Sequence, residues 1–113
     1  MFERPKNDGR YVWTNHITMK MAHYRISPSL VKRIVRFPAR IEEGIAENTA
    51  AAMKPADGTK NYNEVWVMYQ LFKGETGKAK PRIKLITAWR YPGKSPARDP
   101  IPQEILNEIK NIL

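Results

Sequence analysis

The sequence has 113 residues, enough for one domain spanning residues 1–113, and its 42% hydrophobic content excludes a disordered chain. It contains no cysteine and no apolar run of about 18 residues, which excludes a disulfide framework, a cysteine-based zinc site and a membrane span. Twenty Lys and Arg against eleven Asp and Glu give a net charge of +9, which favours a polyanionic partner.

The first helix is predicted behind an irregular lead-in over residues 1–12. Thr14 is suited to be an N-cap, and the helix that follows it covers residues 15–24. An apolar stripe runs along this helix at i, i+4 and i+7, and a polar stripe with similar spacing lies one residue earlier. The polar stripe consists of His16, Lys20 and His23.

The second predicted helix covers residues 28–36. Ser27 is a preferred N-cap residue, Pro28 is favoured at the first helical position, and Pro38 ends the helix. Its apolar side is predicted to be buried and its basic side to face outward. The apolar residues are Leu30, Val31, Ile34 and Val35, and the basic ones are Lys32, Arg33 and Arg36.

About four strands are predicted after the helices, in an antiparallel meander. Their ranges are residues 39–45, 49–54, 64–72 and 82–91. A hairpin turn at Asp57-Gly58 separates the second from the third, and a polar loop over residues 73–80 precedes the last. The third is apolar on both alternating faces, which is typical of a central strand.

Strict alternation along the last strand assigns its side chains to two faces. One face would carry Ile83, Leu85, Thr87 and Trp89, and the other Arg82, Lys84, Ile86, Ala88 and Arg90. On this assignment three cations share one side of the sheet, where a rigid strand would hold them for phosphate binding.

An extended linker over residues 92–101 leads to an amphipathic helix over residues 102–113. The predicted architecture is therefore α+β: two N-terminal helices packed on a roughly four-stranded antiparallel sheet, with a closing C-terminal helix.

The basic residues are unevenly distributed along the chain. Residues 5–40 contain eight basic residues and one acid, and residues 65–100 contain eight basic and two acidic ones. Residues 41–64 reverse the sign, with five acids and two lysines. Two cationic blocks around an acidic one indicate a positive face, although a generally solvated basic surface is the alternative.

Residues 14–27 resemble the opening of the domain of unknown function 4258 family, whose members read Thr-x-His-Ala-x-x-Arg-Met-x-x-Arg-x-Ile-Ser there. The residues that coincide with this pattern are His16, Met21, Ile26 and Ser27. Residues 86–90, Ile-Thr-Ala-Trp-Arg, are similar to the family's closing Ile-Thr-Val-Tyr-Arg. The resemblance covers roughly residues 12–91, with Lys20 and Tyr24 in place of the family's two helical arginines.

The resemblance implies a fold like that of barnase and the RelE-type toxins, which cut RNA without a metal. Such cleavage needs a base, an acid and cations at one phosphate. His16 is the candidate base or acid, because histidine titrates near neutral pH and a helix N-terminus lowers its pKa. Lys20 lies one turn away, and the resemblance places a basic residue at Arg90. The predicted catalytic residues are therefore His16, Lys20 and Arg90, with no metal and no cofactor.

Further residues are candidates for substrate binding. They are Arg82, Lys84, His23, Arg25 and Trp89. A histidine pair is disfavoured, because His23 lies about 10.5 Å beyond His16 along the helix axis. The aromatic residues among these charges could stack on unpaired bases, or could simply pack in the core.

Three hypotheses about function follow. The first is a cytoplasmic, metal-independent endoribonuclease of toxin type that acts on RNA. The second is a non-catalytic module that binds nucleic acid or an acidic protein partner such as an antitoxin. The third is a small interaction protein that docks a partner through its C-terminal helix. None of them involves a membrane or a small-molecule cofactor.

Overall fold

The computed structural model describes residues 4–56, 60–72, 81–110 and 112. In chain order its elements are β1 (Tyr11–Trp13), α1 (Asn15–Tyr24), α2 (Pro28–Arg36), β2 (Arg40–Glu43), β3 (Thr49–Pro55), β4 (Asn63–Phe72), β5 (Arg82–Pro92) and α3 (Gln103–Ile109). The predicted α+β class is confirmed, as are two N-terminal helices and a closing C-terminal helix.

The sheet has five strands in the order β1-β5-β4-β3-β2, and it is mixed. Strands β2 to β5 form the antiparallel meander expected from the sequence. Strand β1 adds a parallel partner for β5, with Tyr11 opposite Ile83. The sequence predicted four strands and an irregular lead-in through residue 12, but Tyr11 and Val12 belong to the fifth strand, β1. With three residues, β1 is too short for its alternation to be recognised.

Local capping fixes the two N-terminal helices at the predicted residues. The Thr14 hydroxyl accepts a hydrogen bond of 3.0 Å from the Ile17 amide, and the Ser27 hydroxyl accepts one of 3.1 Å from the Leu30 amide. Between the helices, Arg25 adopts the left-handed conformation at φ 57° and ends α1. The chain therefore turns sharply from α1 into α2.

The core lies on both faces of the sheet. One face packs against α1 and α2, whose most buried residues there include Ile17 and Ile34. The opposite face packs against Ile105 and Ile109 of α3. Successive residues of β4 alternate between the two clusters, so β4 is the doubly buried central strand that its composition predicts.

A β-bulge interrupts the pairing of β4 with β5. Met68 lies opposite Thr87 and Tyr69 lies opposite Leu85, which leaves Ile86 as an extra residue. Past that point the side chains of β5 change faces: Ala88 joins the cluster that contains Leu85, whereas Ile86 and Trp89 belong to the other. The predicted two-face assignment is therefore wrong beyond the bulge, because it assumed an uninterrupted strand.

The bulge moves Arg90 away from the other two cations of the strand. Its Nε donates a 2.9 Å hydrogen bond to the carbonyl of Tyr24, at the end of α1. The guanidinium of Arg82, by contrast, donates to the carbonyl of Asp8 in the lead-in. Arg82 and Lys84 precede the bulge and Arg90 follows it, so the three cations do not share a face.

A buried carboxylate ties the linker to the sheet. Glu64 in β4 has no exposed surface, and it accepts hydrogen bonds from the Trp66 indole at 3.1 Å and the Tyr62 hydroxyl at 2.9 Å. The hydroxyl and amide of Ser95 donate to the same carboxylate. Burial raises the pKa of Glu64, but these hydrogen bonds outweigh burial and leave the pKa below its ordinary value of 4.5.

The linker and α3 follow the predicted order, with a shorter helix. Helix α3 covers Gln103–Ile109, whereas the sequence predicted residues 102–113. Leu113, the Asp57-Gly58 turn and the loop over residues 73–80 lie outside the described residues. In the described ranges, no helix has the length and apolar character needed to cross a bilayer.

We expect Glu64→Gln to lower the free energy of unfolding at pH 7 by about 2 kcal/mol, because the new amide would face buried donors. The wild-type carboxylate gives its full stabilisation above pH 4.5, and that stabilisation is lost as the pH falls through the lowered pKa. The stability gap between the two proteins should therefore narrow below pH 4.5. Urea unfolding at a series of pH values measures this gap.

Glu43→Gln is the matched control, since Glu43 is an exposed acid on the edge strand β2 of the same sheet. This variant should stay within about 0.5 kcal/mol of wild type. Equal effects of the two substitutions, or a gap that does not depend on pH, would contradict the assigned role of Glu64.

Candidate functional site

The polar stripe of α1 meets α3 in a cavity of about 380 Å³, here called the α1–α3 cavity. It is lined by His16, Met19, Lys20, His23 and Glu108. The Lys20 Nζ lies 2.8 Å from one carboxylate oxygen of Glu108, and the His16 Nε2 lies 3.4 Å from the same atom. An acid supplied by α3 therefore already neutralises the lysine that the sequence assigned to phosphate.

The surroundings of His16 disfavour its charged form. Burial lowers the pKa of His16 below 6.5, and Lys20 lowers it further, while the Glu108 carboxylate opposes both effects. The Nε2 atom is buried and has no hydrogen-bond partner, because the contact with Glu108 lacks hydrogen-bond geometry. The lowered pKa agrees in direction with the sequence analysis, but burial causes it.

Arg90 lies in a different part of the molecule. Besides its bond to Tyr24, its guanidinium donates to the carbonyl of Arg25 and to the Asn63 side chain, both at 3.4 Å. It lines a cavity of about 480 Å³ that contains neither His16 nor Lys20, here called the sheet-side cavity. The three residues predicted to be catalytic are therefore not brought together.

The sheet-side cavity is cationic. It lies between the N-terminal half of α2 and the sheet, and its basic residues are Arg33, Lys54 and Arg90. Ser27 and Ser29 add hydroxyl groups to its rim. No Asp or Glu lines this cavity among the residues described.

A second cationic cavity, here called the corner cavity, lies on the other side of the α2 N-terminus. It has a volume of about 760 Å³ and is formed by the lead-in and the α1–α2 corner. Its basic residues are Arg4, Lys6, Arg25 and Lys32, and no described acid lines it. The two cavities adjoin at Ser27, which lines both, and together they are here called the cationic surface.

Most charges of the cationic surface are not neutralised within the protein. None of its seven basic side chains lies within 4.0 Å of a described carboxylate. Lys32 instead lies over the Tyr11 ring, at 5.2 Å from its centroid. Asp8 is the acid with an electrostatic effect on Lys32, but its carboxylate accepts from the backbone amides of Arg10 and Tyr11, which lower its pKa.

The structure separates the residues predicted to bind substrate. Arg25 is exposed and lines the corner cavity, and His23 is exposed beside the α1–α3 cavity. Arg82 and Lys84 line neither cationic cavity. Arg82 is bound to the lead-in through the Asp8 carbonyl.

The prediction that Trp89 stacks on a base of the substrate is wrong. Its side chain is fully buried, stacked on Trp66 with ring centroids 5.9 Å apart, and its indole donates to the carbonyl of Pro100. No ring surface is left for a ligand. The alternative of core packing holds for both tryptophans, because α3 covers that face of the sheet.

Sequence reasoning missed several residues of these cavities. Lys32 and Arg33 were assigned to the outward side of α2, a signal that could have led to the cationic surface. The sequence gives no comparable signal for Arg4, Lys6 and Lys54, because only the tertiary structure brings them into the same cavities as α2. Glu108 lies 88 residues from Lys20 in sequence, so no local pattern indicates their contact. In α3 the sequence indicates only an apolar side.

In the described ranges, no group of three or more His, Asp and Glu side chains is placed to hold a metal ion. Comparison with known proteins found no matching protein-family model, no matching curated protein and no matching solved structure. The resemblance to the domain of unknown function 4258 family therefore stays a prediction.

We expect the pKa of His16, followed by NMR titration of its ring protons, to respond in opposite directions to its two charged neighbours. Glu108→Gln should lower this pKa further, because it removes a charge that favours the imidazolium. Lys20→Met should raise it, because it removes a charge that disfavours the imidazolium.

The matched control is Glu104→Gln, an exposed acid in the first turn of α3, which should leave the His16 titration where it is. A His23→Gln protein assigns the two histidine signals. An unchanged His16 pKa in Glu108→Gln would show that α3 does not contact α1 in solution as described.

Proposed function

We propose that this protein is a non-catalytic RNA-binding module that holds the phosphate backbone on its cationic surface. The observation that carries the proposal is the concentration of seven basic side chains around the α2 N-terminus, unopposed by any described acid in the same cavities. RNA is the polyanion implied by the resemblance of residues 14–27 and 86–90 to a family with an RNA-cutting fold.

Electrostatics supports an anionic ligand at this surface. Like charges that are gathered without neutralisation repel one another, and a bound polyanion relieves that repulsion while releasing its own counterions. The N-terminus of α2 adds a partial positive charge on the same side. Arg25 and Arg33 can form forked contacts with phosphate oxygens, since both side chains are exposed.

Binding without catalysis is favoured by the position of the titrating groups. Neither His16 nor His23 lines the corner cavity or the sheet-side cavity. A backbone held on the cationic surface would therefore lack a histidine to exchange protons with the reacting oxygens. Binding needs only the charges, which are present there.

We expect the triple variant Arg25→Gln, Lys32→Gln, Arg33→Gln to bind single-stranded RNA with a weaker salt dependence. Each lost phosphate contact should reduce the slope of log K against log salt by about 0.7, so the triple variant should lose about 2. Fluorescence anisotropy of a labelled oligonucleotide across a salt series measures the slope.

The control is Lys60→Gln, Lys94→Gln, Lys110→Gln, which removes the same charge from exposed lysines outside the two cavities. Its slope should change by less than half as much as that of the triple variant. Equal slopes for the two variants would overturn the assignment of the surface. Equal affinity for single-stranded DNA or heparin would overturn RNA as the specific ligand.

A second function, RNA cleavage, is favoured by one specific observation. Glu108 brings a carboxylate to His16 and Lys20, so the α1–α3 cavity contains two groups that can exchange protons and one cation. One of the two would have to act as the base and the other as the acid. The Lys20–Glu108 pair argues against it, since it occupies the charge that a phosphate would need.

Incubation of total RNA with the purified protein in EDTA separates the two functions. We expect the RNA to remain intact while it binds with the salt dependence described above. Shortened RNA would favour cleavage, provided that His16→Ala and Glu108→Gln both abolish it and Glu104→Gln does not.

A further inference from the structure

The C-terminal end of α2 has a third cavity of about 450 Å³, here called the Phe37 cavity. It is lined by aromatic and aliphatic side chains and flanked by Arg10 and Arg36, with no acid among its described residues. Phe37 is 68% exposed, the largest value among the exposed large hydrophobic residues of the described chain. Leu71, which is 48% exposed, lines the same cavity, so the two side chains form an exposed apolar patch beside two arginines.

The chemistry of this cavity fits a flat, polar-edged ring attached to an anion. The Phe37 ring offers a stacking face, and the two guanidinium groups could bind the flanking phosphates. Tyr69, which also lines the cavity, has a hydroxyl without a partner among the described residues. Burial raises the pKa of Tyr69, so the hydroxyl stays protonated and can donate to a base edge.

Helix α2 contributes a cation to the Phe37 cavity and to both cavities of the cationic surface. The three outward cations of the helix each line a different cavity: Lys32 the corner cavity, Arg33 the sheet-side cavity and Arg36 the Phe37 cavity. Arg33 and Arg36 are three residues apart, so they are neighbours on the helix surface. A ligand bound to Arg33 therefore meets Arg36 one turn further on.

We infer that the Phe37 cavity binds an unpaired nucleobase, so that the RNA held on the cationic surface is single-stranded. The inference rests on the proposed function and names its substrate class. Charge favours a nucleobase with its phosphates over an apolar peptide side chain, because Arg10 and Arg36 line the cavity and no described acid does. A base inside a duplex cannot present its face to Phe37, since both of its faces are stacked.

The test compares Phe37→Ala, Phe37→Leu and Phe37→Trp on a single-stranded RNA 12-mer, a duplex of the same sequence, and a strand with abasic sites. Phe37→Ala and Phe37→Leu should weaken binding of the single strand about tenfold, the value of one stacked base. Phe37→Trp should retain or strengthen it. Duplex binding and abasic-strand binding should be unaffected by all three, and 2-aminopurine in the strand should lose its stacking-dependent quenching in Phe37→Ala.

The control is Ile41→Ala, which should leave single-strand affinity unchanged, since Ile41 is 54% exposed and lies outside the Phe37 cavity, the cationic surface and the α1–α3 cavity. Unchanged single-strand affinity in Phe37→Ala, or an equal loss for the duplex, overturns the inference. If the triple charge variant still weakens RNA binding in that case, the proposed function stands without the inference about the Phe37 cavity. If the Phe37 variants alter only the binding of an acidic peptide that contains an aromatic residue, the cavity is a protein-docking site and the inference is overturned.

Discussion

The position of Arg90 depends on one extra residue in β5, and the attachment of the α1–α2 corner to the sheet depends on Arg90. Ile86 is not paired with β4, so the side chains of β5 after it point to the opposite faces from those that strict alternation predicts. The guanidinium of Arg90 therefore reaches the end of α1. There it binds the carbonyls of Tyr24 and Arg25, two acceptors that the end of a helix leaves without intrahelical partners. The α1–α2 corner, and with it the direction of α2, is thereby fixed to the sheet.

The protein uses its charges in two ways. On the side of α3 they are paired: Glu108 contacts Lys20, and Glu64 accepts hydrogen bonds from its neighbours and lies 3.9 Å from Arg40. Around α2 the cations have no described carboxylate in contact. Unpaired like charges reduce stability slightly, and proteins retain such arrangements where function uses them. This contrast, more than the net charge, supports the proposal that the cationic surface binds a ligand.

Local signals in the sequence predicted the helices well and the site poorly. Thr14 and Ser27 cap their helices through hydrogen bonds to residues three positions away, so the information is contained in a short segment. The bulge at Ile86 has no such local marker, and a strictly alternating reading put Arg90 with Arg82 and Lys84. The outward cations of α2 were predicted correctly, but the cavities beside them are formed by the lead-in and by β3, which are distant in sequence.

The same separation explains why a histidine with a lowered pKa does not by itself identify a catalytic site. Burial is the largest cause of the lowered pKa of His16, and His16 lines neither cavity of the cationic surface. On the proposed function, helix α2 would set the geometry of RNA binding. Lys32 and Arg33 diverge by about 100° around the helix, and Arg36 lies between their directions one turn later. A ligand that follows all three must bend around the helix into concavities on both sides. A double helix resists such bending (the persistence length of duplex DNA is about 150 base pairs), whereas a flexible single strand can follow it.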